Sequence, residues 1–206
     1  MSAVAAPVTL HRPLPPEEAA RADFYALLGR LLQSPPDRAL LAQLARAPAI
    51  EGDSELARAW RGLVQASGAM DADAAAFEHE SLFAGFGKAK VSIYAGFYAR
   101  GTTPEHPRVR ILRDLAELGL APACPTEPED HFAALFEAMR VLVAGGAGRD
   151  PAPLEAQKRF HETHLAAAWP RFAQALAAAE DANYYRHVAA LAAAFAALEA
   201  ESFKLE

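Results

Sequence analysis

The chain has 206 residues, 52% of them hydrophobic, and its 20 Lys and Arg against 26 Asp and Glu leave a formal charge of −6. That length buries the core of one ordinary domain, and the acidic balance argues against the nucleic-acid phosphate backbone as main partner. The single cysteine, Cys124, excludes a disulfide framework and any multi-thiolate zinc or iron–sulfur site. About a quarter of the chain is alanine, which favours helix and adds little apolar volume. The composition therefore predicts an all-α, compact, single-domain helical globule.

Residues 1–16 carry four prolines and little periodicity, and read as a flexible N-terminal arm ahead of an all-helical domain over residues 17–206. Punctuation by Pro, Gly and Asp then divides the chain into about seven helical segments. The first runs from Glu17 to Ser34, with Phe24, Leu27, Leu28, Leu31 and Leu32 on one face, and Pro35-Pro36 ends it. Asp37 caps a short second helix, Asp53 or Ser54 a third through Trp60 and Leu63, and Asp71 a fourth through Phe77 and Leu82. From Gly85 to Pro107 the pattern breaks, in a stretch with four glycines and the aromatics Phe86, Tyr94, Phe97 and Tyr98. A loop of that length in a compact domain is often functional.

Helix five spans Arg108 to Leu118 and stops at Gly119, a natural left-handed position. Thr126 and Glu129 stand as in a capping box, which places Glu127, Glu129, Asp130 and His131 in the first turn of helix six, ending at Gly145-Gly146. The next segment, Pro151 to Glu180, must kink or split at Pro170. The last, Ala182 to Phe203, presents Tyr185, Val188, Leu191, Phe195 and Leu198 as one stripe. Phe24, Leu28, Trp60, Phe83, Phe132, Leu135, Met139, Trp169, Phe172 and Phe195 are the expected core. The apolar run from Val188 to Leu198 is too short to cross a bilayer, and residues 1–16 do not read as an export signal, so a cytoplasmic location is expected.

Metal and nucleotide motifs fail on spacing. His161-Glu162-Thr163-His164 is one residue short of the zincin motif, which turns the second histidine about 100° away from the required position. No histidine has a glutamate three positions before it, so paired Glu-x-x-His di-iron motifs are absent. Gly85-Phe86-Gly87-Lys88 lacks the upstream glycine and the following Ser/Thr of a phosphate loop. Cys124 has no basic neighbour in sequence to lower its pKa, which favours a structural thiol. Neither a catalytic residue nor a cofactor is expected. A helical metal protein or small enzyme using His131, His161 and His164 is the competing reading.

What remains is a cluster of carboxylates and aromatics around the long loop and the entrance to helix six. Leu82, Phe83, Gly85 and Gly87 match a Leu-Phe-x-Gly-x-Gly signature, Ser92 and Tyr94 a Ser-x-Tyr segment, and Glu127, Pro128, Asp130 and His131 a Glu-Pro-x-Asp-His motif. Phe160, His164, Leu165, Trp169 and Phe172 match a C-terminal pattern, with Tyr184-Tyr185 in place of Phe-Tyr. In these motifs the chain resembles the TorD/DmsD/NarJ family of redox-enzyme maturation chaperones over residues 20–200. Val91 stands where many relatives have proline.

The resemblance implies a cytoplasmic, all-α chaperone without catalysis. Its partner would be the apo catalytic subunit of a molybdenum-dependent oxidoreductase, held by its leader peptide until cofactor insertion and folding. The state implied is a monomer or a dimer that swaps helical halves through 85–107 or 145–153. A twin-arginine leader offers adjacent guanidinium groups and then an apolar stretch, so its receptor needs carboxylates beside an apolar wall. Glu80, Asp114, Glu117, Glu127, Glu129 and Asp130 are the candidate charges, joined by His131 and Ser92, with Phe83, Tyr94, Phe97 and Tyr98 as the apolar wall. The competing account gives Glu129 and Asp130 only a helix-capping role.

Overall fold

Prolines and short polar side chains set where the helices begin. In the computed structural model, which describes residues 14–84, 89–99, 105–121, 128–146 and 148–204, the chain forms α1 (Pro16–Gln33), α2 (Arg38–Leu44), α3 (Glu55–Ala69), α4 (Ala72–Phe83), α5 (Ala95–Tyr98), α6 (Pro107–Glu117), α7 (Phe132–Ala144), α8 (Leu154–His164), α9 (Trp169–Ala178) and α10 (Tyr184–Ser202). Among the described residues there are ten helices and no strand, against the seven expected segments, and the class is all-α as composition implies. Asp37, Ser54 and Asp71 accept backbone N–H bonds from Leu40 at 2.7 Å, Ala57 at 3.1 Å and Asp73 at 2.9 Å, satisfying donors that a helix start leaves open. Gly119 takes φ +66° just past α6, where a side chain would be strained. Pro170 falls in the first turn of α9, where its missing N–H is not needed, so the expected break occurs as a split between α8 and α9.

Three expectations are corrected. The helix expected to follow Thr126 begins only at Phe132, with His131 as N-cap; Thr126 and Glu127 lie outside the described residues, as do 1–13, 85–88 and Cys124. Phe24 and Trp60 are half-buried at the core margin, and Tyr25 takes the central place on α1. Leu198 is 44% exposed, because the buried face of α10 ends on Glu199 instead.

α1 lies along α7, and α10 packs between α9 and α3 while touching α1 and α4. Interlocked aromatics fill the centre, with ring centroids 4.5 Å apart for Phe132 and Phe172, 4.8 Å for Phe136 and Trp169, and 4.9 Å for Tyr25 and Phe195. Two buried carboxylates tie this core together. Glu199 receives Arg21 Nε at 2.8 Å and Nη2 at 2.9 Å and the Tyr25 hydroxyl at 2.6 Å. Glu78, from α4, accepts the backbone N–H groups of Asn183, Tyr184 and Tyr185 at 2.8, 3.0 and 2.7 Å, so a distant acid caps α10.

Candidate functional site

The segment after α4 is drawn back onto the body by backbone bonds. Val91 N–H reaches the Leu82 carbonyl at 3.0 Å, Phe132 N–H reaches Ile93 O at 2.9 Å, and Ala95 N–H reaches Asp130 O at 2.7 Å. The last two bracket an antiparallel bridge between Tyr94 and His131. This pairing holds residues 128–131 out of helical geometry and delays α7 to Phe132. His131 then caps α7, its Nδ1 accepting from Ala133 N–H at 3.0 Å, and its ring meets Tyr94 edge-on at 5.6 Å.

α5 is one turn long, too short to be stable alone, and is pinned at both ends. Asp130 Oδ2 accepts the Gly96 N–H at 3.3 Å, and Arg171 donates to the Tyr98 carbonyl at 2.9 Å. The Tyr98 hydroxyl donates to Ser92 O at 2.9 Å, and burial pushes its pKa up to about 12. A Cβ at Gly96 would lie 2.7 Å from Asp130 Oδ2, so any side chain here would displace that carboxylate. So anchored, α5 turns Phe97 outward at 72% exposure, next to Tyr94 at 38%. A cleft of about 360 Å³ opens beside it, lined by Gly96, Glu105, Arg110, Thr163 and His164 among others.

The acids of this face are already engaged. Arg108 of α6 places Nε and Nη2 each 2.9 Å from Glu129 Oε2, with Nε 4.0 Å from Asp130. The glutamate's own backbone N–H, then Arg108, hold the Glu129 carboxyl below its ordinary range. Arg113 donates from Nη1 to both oxygens of Glu105 at 2.9 Å and from Nη2 to Asp114 at 3.0 Å. The other oxygen of Asp114 accepts from His164 Nε2 at 2.8 Å.

Of the residues expected at the site, the structure gathers Ser92, Tyr94, Phe97, Glu129, Asp130 and His131 around α5, and places Asp114 across the cleft through His164. Asp130 is 7% exposed and His131 5%, so both support the face from behind. Phe83 does not belong to the apolar wall: it is buried against His79 and Tyr185 at 5.0 and 5.3 Å. Glu80 is exposed on the last turn of α4, next to Ser81, which donates to Asp181 at 2.6 Å. Glu127 lies outside the described residues. Sequence reasoning missed Arg108, Arg113 and Gly96; a glycine set between the aromatics of an irregular segment was the one available signal.

The three histidines of the metal reading have separate roles. His131 caps α7, His164 bonds Asp114, and His161 is buried 6.1 Å from Trp169 and 5.0 Å from Phe203 between ring centroids. Among the described residues, no three His, Cys, Asp or Glu side chains group as metal ligands. No described helix is long and apolar enough to cross a membrane.

No curated protein matches the chain at significance. Its fold is similar to the crystal structure of a candidate redox enzyme maturation protein from Archaeoglobus fulgidus, at a TM-score of 0.52 and 19% identity over 87% of this chain and 93% of that one. The family model described as nitrate reductase delta subunit matches residues 51–174, a span that holds α3 to α8 and the whole face around α5. The chain therefore belongs to the nitrate reductase delta subunit family, the redox-enzyme maturation chaperones whose motifs it carries.

Proposed function

We propose that the protein acts in the cytoplasm as a chaperone, without catalysis of its own, for the apo catalytic subunit of a molybdenum-dependent oxidoreductase. It binds that subunit's leader or N-terminal region at the face around α5 and delays export until the cofactor is in place. The exposure of Phe97 carries this reading: an aromatic ring 72% exposed, on a turn fixed by Asp130 and Arg171, is poised to bury an apolar segment. The acids Glu129 and Asp130 behind it suit the basic start of such a segment. Ser92 fixes the approach to this turn, its Oγ accepting the Tyr94 N–H at 3.3 Å.

The test uses a synthetic peptide with two adjacent arginines followed by an apolar stretch, titrated calorimetrically against wild type and Phe97→Ser. Because Phe97 is exposed, its loss leaves stability unchanged while affinity falls about tenfold or more, as for an interface anchor. Equal affinity for both proteins would move the docking surface elsewhere.

A further inference from the structure

We infer that Arg108 is a built-in competitor for the client's arginine, occupying Glu129 and Asp130 until an incoming guanidinium replaces it. This rests on the docking reading above and goes beyond it by assigning how the charged part of the site opens. Only 13% of the Glu129 side chain and 10% of the Asp130 side chain are exposed, whereas Arg108 stands 45% exposed in front of them. Both of its bonded nitrogens converge on one glutamate oxygen, the group an arginine fork would seek. A client arginine therefore reaches these acids only as Arg108 leaves.

Such an exchange has a distinctive electrostatic consequence. One guanidinium departs as another arrives, so the number of paired charges is unchanged and little net screening is gained or lost. The charged contact then adds little affinity. It distinguishes an arginine from a lysine, because a client cation without a fork cannot match what Arg108 already provides, whereas a neutral client leaves Arg108 in place. Arg108 lies in the first turn of α6, directly after Pro107, whose Cβ lies 3.6 Å from the Cβ position of Gly96. The competitor thus stands at the junction of α6 with the aromatic turn, where the client's basic and apolar parts would meet.

The experiment compares two synthetic peptides, one with adjacent arginines before an apolar stretch and one with glutamines in their place, on wild type, Arg108→Gln and Arg108→Lys at low and moderate salt. Arg108→Gln should bind the diarginine peptide about three- to tenfold more tightly at low salt, with a steeper loss on adding salt than wild type, and the diglutamine peptide unchanged. Arg108→Lys, which keeps the charge without the fork, should fall between. Equal or weaker binding of the diarginine peptide to Arg108→Gln overturns the inference while leaving the docking surface standing. If neither peptide binds any of the three proteins, the docking reading falls and the inference with it.

Discussion

Asp130 acts through its position rather than its exposure. Its carbonyl takes the Ala95 N–H and its carboxylate the Gly96 N–H, so one buried residue orients the turn that carries Phe97. Gly96→Ala tests that role. The added methyl must push the carboxylate away, and the lost bond costs about 1 kcal/mol, while alanine returns up to about 1 kcal/mol of helix preference. The melting temperature should barely move, yet affinity for the diarginine peptide should drop with the displaced turn; unchanged affinity would mean that α5 tolerates the shift.

Protonation also acts at this scale. Burial lowers the pKa of His79, His161 and His164, in the last case against the pull of Asp114. A histidine whose folded pKa lies below its unfolded value favours folding while neutral. Its contribution is complete above the unfolded pKa of about 6.5 and is lost as pH falls from there toward the folded pKa. Urea denaturation between pH 8 and pH 5 should therefore show a plateau above about pH 7 and a decline below it, by up to about 1.4 kcal/mol per pH unit for each histidine. His161→Gln should flatten the decline. A stability independent of pH over that range would mean that these rings accept protons in the folded state.

Among the elements, α10 shows how a helix can be capped from outside its own sequence. Its first turn has no side-chain cap of its own, and Glu78 supplies three acceptor contacts from α4 in a buried setting. Glu78→Ala leaves those N–H groups open and should cost about 2–4 kcal/mol, more than an exposed cap, because the bonds are charge-assisted and buried. Chemical denaturation would measure it; a loss under about 0.5 kcal/mol, the size of an ordinary surface change, would show that the helix end finds other partners. α6 stands at the opposite extreme. Ile111 and Leu115 are its buried apolar anchors, Val109 and Leu112 are exposed, and polar ties through Arg108, Asp114 and the Arg149 bonds to Leu118 O and Gly119 O hold it.

For the whole molecule, the Arg21–Glu199–Tyr25 network joins the first helix to the last. Glu199 is fully buried, so removing Arg21 strands a charge. Arg21→Ala should cost about 3–5 kcal/mol, whereas the double variant Arg21→Met/Glu199→Leu, which leaves no charge behind, should cost clearly less. Additive losses in that cycle would contradict a coupled pair. We propose in addition that the chain can exchange helical halves between two copies. Light scattering over a concentration series should show monomer and dimer, and a single monomer species at every concentration would remove it.

Helix positions were legible because their causes are local. The stripe on α1, the caps at Asp37, Ser54 and Asp71, the stop at Gly119 and the split at Pro170 all rest on residues within a few positions of one another. The family motifs likewise marked the region around Tyr94 and Asp130. Only tertiary structure decided the start of α7, since a backbone pairing with residues 93–95 overrode an apparent capping box. It alone decided that Phe97 faces outward and Phe83 inward. It also paired the acids, because Arg108 meets Glu129 across 21 positions, Glu78 meets Asn183 across 105 and Arg21 meets Glu199 across 178. Periodicity and capping fix what a segment becomes, but the partner of a charge is whichever residue the packed helices bring within reach, and no local pattern records that distance.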